Sequence, residues 1–108
     1  VRVLAPKEAT DTHADYYRFQ KLGLPLYTCW VPLMNQGMKE GTLALCEDSF
    51  KLNYEGEMLS QEELPAKFLD IVPESCWVYG DFKVGDIIIF DIRTIHASFR
   101  NDSSIFRK

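Results

Sequence analysis

The chain holds two histidines, His13 and His96, and each stands in a setting that suits a metal ion. His13 belongs to the string Thr10-Asp11-Thr12-His13-Ala14-Asp15. In an extended segment, side chains two apart share a face, so His13 and Asp15 would form a ready pair of ligands with the small Ala14 turned away. The same string also fits an exposed loop pair or a plain His–Asp hydrogen bond. His96 follows a long apolar run that ends in Asp91-Ile92-Arg93-Thr94-Ile95. Two imidazoles and one carboxylate on one side of a metal leave three coordination positions open. That is the arrangement of non-haem Fe(II) chemistry, which must bind a co-substrate and dioxygen together. A closed structural zinc site would want a fourth protein ligand, preferably cysteine. No cysteine lies near either histidine in sequence.

Charge extends the reading. Fe(II) with one aspartate keeps roughly one positive charge, which a chelating 2-oxo dicarboxylate would meet with its oxo-acid end. Its second carboxylate, once buried, needs a fixed cation, and the guanidinium fork matches both oxygens. Arg107 stands eleven positions past His96, behind the turn Asn101-Asp102-Ser103-Ser104. Ser98, two beyond His96 on the same strand face, adds a hydrogen-bond donor. Arg107 also reads as a surface strand residue, and Arg100 and Arg93 are rival cations.

These residues need elements to hold them. Residues 87–90, Ile-Ile-Ile-Phe after the Gly85-Asp86 turn, are apolar at consecutive positions, which predicts a strand covered on both faces. Further strands are expected over residues 1–4, 26–33, 41–46 and 76–79. Residues 16–23 read as an aromatic-rich loop and residues 34–40 as a turn-bearing connection. Ser60-Gln61-Glu62-Glu63 has capping-box form and predicts one short, weak helix towards Asp70, with Pro65 close to its first turn. Without long helices between strands, an antiparallel sandwich or barrel is expected in place of a parallel α/β sheet.

The chain has 108 residues, enough for one domain with a modest core. No run approaches the ~20 apolar residues of a membrane span, and the formal charge of −4 gives no basic footprint for nucleic acid. Cys29, Cys46 and Cys76 are odd in number and lack metal spacing, so they read as reduced thiols of an intracellular, cytoplasmic protein. The first residues begin as though already inside a strand and the last stop without a terminator. Residues 1–108 are therefore expected to be one domain excerpted from a longer protein.

The strings Tyr27-Thr28-Cys29-Trp30-Val31-Pro32-Leu33, Gly41-Thr42-Leu43 and Gly85-Asp86 resemble the phytanoyl-CoA dioxygenase family of Fe(II)/2-oxoglutarate oxygenases. So does the series Phe90, His96-Ala97-Ser98, Asn101, Arg107. The resemblance runs from about residue 3 to residue 108. It implies an all-β, double-stranded β-helix (jelly-roll, cupin-like) core. It implies iron at His13, Asp15 and His96, with 2-oxoglutarate at Arg107, Ser98 and Trp30. The activity implied is a dioxygenase that hydroxylates a small-molecule or acyl substrate while 2-oxoglutarate becomes succinate. Where the family usually has a Pro-Gly-Ser-His-like turn, this chain reads Cys46-Glu47-Asp48-Ser49-Phe50, a departure on the substrate side. Asp15 sets the chain apart from related halogenases, which lack that carboxylate. Two alternatives stand beside this reading. One is a non-catalytic jelly-roll binding module with an unmetallated site; the other is a zinc or manganese enzyme of the cupin type.

Overall fold

The computed structural model describes residues 2–52 and 64–108. Six short strands dominate: β1 (Thr10–His13), β2 (Tyr27–Trp30), β3 (Leu43–Cys46), β4 (Trp77–Tyr79), β5 (Ile88–Asp91) and β6 (His96–Ser98). They form an antiparallel four-stranded sheet in the order β1-β6-β3-β4 and a two-stranded sheet, β2-β5. Sequence neighbours such as β1 and β2 lie in different sheets, as a jelly roll requires. Of the strand expected over residues 1–4, the described residues 2–4 make only one antiparallel bridge, Leu4 with Arg107.

Two α-helices accompany the strands. Helix α1 (Tyr16–Phe19) and the 3-10 turn Gln20–Leu22 occupy the stretch expected as a loop. Helix α2 (Leu64–Ile71) is the expected short helix, with Pro65 in its first turn where no intrahelical N–H is needed. The capping-box string at residues 60–63 lies outside the described residues. α2 sends Phe68 into the core and Val72 follows just past its end; there they join Ile95, Ala14 and Cys46. That placement confirms Ala14 as a residue turned from the site, packed into the core below it.

Two further expectations are corrected. The run at residues 87–90 is not covered on both faces: Phe90 is buried, but Ile89 is 67% and Ile87 59% exposed. Among the described residues its sheet has two strands, so one face meets the opposite sheet and the other carries Ile89 beside Cys29 and Tyr27. The cysteines are not all thiols either. Cys46 and Cys76 form a disulfide, and only Cys29 is free. Cys46 pairs with Trp77 across the β3–β4 ladder, which brings its neighbour Cys76 within a Cα–Cα distance of 4.8 Å. A separation of 30 residues hid this proximity. The bond removes the thiol count as a ground for an intracellular location. No described helix is long and apolar enough to cross a membrane.

Candidate metal and co-substrate site

β1 and β6 run side by side, and a bulge in β1 sets the site. Thr10 pairs with Ser98, but three residues later His13 pairs with His96, which is only two residues from Ser98. The extra residue re-aims the strand, as bulges near functional sites do. An unbroken register would have put Thr12 opposite His96 and left His13 beyond it. With the bulge, the two imidazole rings lie 4.1 Å apart between centroids.

Asp15 arrives by a different route from the one its spacing suggested. β1 ends at His13, and Asp15 already has the right-handed helical conformation that opens α1. The turn swings its carboxylate back, so that Oδ1 lies 3.7 Å from His13 Nε2 and Oδ2 lies 3.9 Å from His96 Nε2. Thr28 on β2 donates its hydroxyl to Asp15 Oδ2 at 2.6 Å and holds the carboxylate across from the other sheet. Each histidine is tethered through its other ring nitrogen. His13 Nδ1 lies 2.7 Å from the Asp11 carbonyl, and His96 Nδ1 lies 3.0 Å from the Thr94 carbonyl. Nδ1 therefore carries the proton that the carbonyl accepts, and Nε2 is left as the ligand atom. Burial, and then the nearby His13, push the His96 pKa down to about 4, so its imidazole is neutral at ordinary pH. Phe90 packs edge-on against it at 4.9 Å.

The segment before His96 is also anchored. Ser49 Oγ donates to the Cys46 carbonyl at 2.7 Å and accepts the Ile95 N–H at 2.8 Å. Ser49 lies in the turn where the sequence departs from the family string, so the turn still serves to place β6.

One donor atom from each of His13, Asp15 and His96 can be chosen so that all lie within 4.8 Å of one another. An ion with bonds of 2.0–2.2 Å at right angles would hold its donors about 3 Å apart, so a small contraction closes the site. Two imidazoles and one carboxylate fit iron(II) with open positions.

Beside the triad lies a cavity of about 100 Å³ lined by His13, His96, Ser98, Trp30, Gln36 and Arg107. All three residues expected at the co-substrate therefore line one cavity with the histidines. Arg107 is 7% exposed, and its guanidinium donates to the Gly41 carbonyl. No carboxylate pairs with it among the described residues. Burial, and then Arg2, lower its pKa to about 10, which leaves it charged at neutral pH. The rival cations are engaged elsewhere. Arg93 forks onto Asp91, with two nitrogens 3.0 Å from its oxygens, and exposed Arg100 bonds Asp102 at 2.8 Å. A buried cation without a counter-charge is costly, and an anion in this cavity would relieve it. Ser98 Oγ accepts the Thr10 N–H at 2.8 Å, which leaves its own proton to give.

Sequence reading missed Thr28 and Gln36. Thr28 lies two before Trp30 on the inward face of β2, and that alternation was the available signal. Gln36 is buried and donates to the Lys108 carbonyl at 3.3 Å, while its Oε1 has no partner among the described residues. An unmet acceptor beside Arg107 marks the cavity as one for a polar, hydrated occupant.

The family model for phytanoyl-CoA dioxygenase (PhyH) matches residues 4–108. No curated protein matches significantly. EvdO2 from Micromonospora carbonacea var. aurantiaca, solved with 2-oxoglutarate, has a similar fold at a TM-score of 0.67 and 17% identity. The match covers 97% of this chain and 45% of EvdO2. SnoK, a non-heme alpha-ketoglutarate-dependent carbocyclase of nogalamycin biosynthesis, gives 0.69 and 23%, covering 97% of this chain and 43% of SnoK. The epimerase SnoN, with Fe3+, alpha-ketoglutarate and nogalamycin RO, gives 0.65 and 19%, covering 97% and 43%. At these identities the likeness shows the fold. The chain spans less than half the length of each.

Proposed function

Because the chain belongs to the phytanoyl-CoA dioxygenase (PhyH) family, we propose that residues 1–108 form the catalytic core of an iron(II)- and 2-oxoglutarate-dependent dioxygenase. One observation carries the reading: the buried Arg107, which no carboxylate pairs among the described residues, opens into the same small cavity as the His13–His96 pair. A metal site alone would have no use for that cation.

His13, Asp15 and His96 would hold the iron, with Thr28 fixing the carboxylate and the Asp11 and Thr94 carbonyls fixing the rings. Arg107 would take the far carboxylate of 2-oxoglutarate, assisted by the Ser98 hydroxyl, while Trp30 walls the cavity. When bound, iron and 2-oxoglutarate supply the oxidising power to break a substrate C–H bond, using dioxygen and releasing succinate and carbon dioxide. The chain's own contribution is to orient the components and exclude water, for which Phe90 shields His96.

A larger cleft of about 440 Å³ also reaches His13 and Asp15, lined by Tyr17 and Arg18 as well. It supports a reading in which a small-molecule or acyl substrate approaches there. Asp15 fills the position that a halide would need, which favours hydroxylation. Similar structures include a carbocyclase and an epimerase, so product analysis decides that finer point.

The test is metal content. The full-length protein should bind one iron per chain, and His96→Ala should lose both the metal and 2-oxoglutarate turnover. Retention of both by His96→Ala would show the triad to be wrongly assigned.

A further inference from the structure

The loop that carries the chain from His96 to Arg107 closes around one side chain, Asn101, which has no exposed surface. Its Nδ2 donates to the Ile105 carbonyl at 2.8 Å and the Leu4 carbonyl at 3.3 Å. Its Oδ1 accepts from Ser103 Oγ at 2.6 Å and Ser103 N–H at 3.1 Å. Every hydrogen-bonding position of the amide is thereby used. Its backbone is tied as well, donating to Glu8 and accepting from Lys7.

These bonds converge on Arg107 along two lines. The first runs through Leu4, whose N–H and carbonyl both pair with the backbone of Arg107 at 2.9 Å. Asn101 grips the same Leu4 carbonyl from the side. The second runs through Gly41, whose carbonyl accepts the Arg107 guanidinium. Gly41 has φ +79°, and an added Cβ would lie 2.3 Å from the Phe99 carbonyl oxygen and 2.9 Å from the Asn101 nitrogen. The backbone at residues 99–101 thus presses directly on the residue that seats the guanidinium. None of these contacts involves His13, Asp15 or His96.

We infer that Asn101 is a positioning residue for the co-substrate: it sets the place of Arg107, and through it the affinity for 2-oxoglutarate, without contributing to metal binding. The inference rests on the co-substrate role proposed for Arg107. It predicts a coupling that general damage to the fold would not produce.

The experiment is a double-mutant cycle on the metal-loaded full-length protein, with 2-oxoglutarate itself as the titrant. Asn101→Ala should weaken 2-oxoglutarate binding by about ten- to a hundredfold, the size expected for one or two lost buried hydrogen bonds. Iron per chain should stay the same. In an Arg107→Ala background the same change should add less than about twofold. Should Asn101→Ala fail to fold, Ser103→Ala removes one of the four bonds at that amide, the hydroxyl's, and should give a smaller, equally coupled loss. Binding unchanged by either variant, or an equal loss with and without Arg107, would overturn the inference. If Arg107→Ala itself left 2-oxoglutarate binding intact, the prior reading of Arg107 would fall instead.

Discussion

At the scale of single residues, separate groups serve the metal and the anion in the proposed site, and each half has its own test. Arg107→Ala should raise the 2-oxoglutarate dissociation constant by about two to three powers of ten or more, because losing one partner of a buried charge pair costs roughly 3–5 kcal/mol. Arg107→Lys should recover only part, since a point charge cannot make two parallel bonds. Arg100→Ala, which removes an exposed partner of Asp102, should leave the titration unchanged. A loss in the Arg100 variant with Arg107→Ala unaffected would contradict the assignment. On the metal side, Thr28→Val keeps the strand but removes the 2.6 Å bond to Asp15. Iron affinity should fall about ten- to a hundredfold, as measured by competition with a chelator. His13, Asp15, His96 and Arg107 were legible because few side chains can serve a metal or a dicarboxylate. Thr28 was not, because its role depends on which strand crosses Asp15, and threonine is common in any strand.

At the scale of elements, strand positions were easier to read than what covers them. β2 and β3 lie inside the expected runs, since β-branched and aromatic residues bounded by Pro and Gly leave little choice. Consecutive isoleucines before Phe90 suggested two covered faces, yet β5 alternates like any strand with one partner sheet. The bulge in β1 was invisible, because it exists only relative to β6. The Cys46–Cys76 bond was missed for the same kind of reason: its geometry is a property of the β3–β4 ladder. Alkylation without reductant, followed by unfolding and mass spectrometry, should therefore label Cys29 alone. Labelling of all three would restore the thiol reading. Cys76→Ser should lower stability by about 2–4 kcal/mol in a denaturant titration, whereas Cys29→Ser, at an exposed position, should change it by less than about 0.5 kcal/mol.

At the scale of the whole molecule, the jelly roll followed from antiparallel strands without long intervening helices, together with the resemblance carried by residues near the site. What the sequence did not convey is how much apolar surface stays uncovered. Ile87, Ile89 and Tyr27 are each more than half exposed, and β2–β5 is a sheet of two strands among the described residues. A domain of this size is marginal even when well covered, and unpaired sheet edges invite association. Residues 1–108 expressed alone should accordingly melt broadly and bind a hydrophobic dye; a sharp, dye-free transition would show the uncovered face to be tolerated. The central claim, that one cavity joins an iron triad to an Arg107-held 2-oxoglutarate, is tested most directly by succinate formation. The full-length protein supplied with iron(II), 2-oxoglutarate and dioxygen should release succinate, and release should stop on chelation or with His96→Ala. Succinate production that is absent from the iron-loaded protein across a broad substrate screen, or that persists in His96→Ala, would contradict the account.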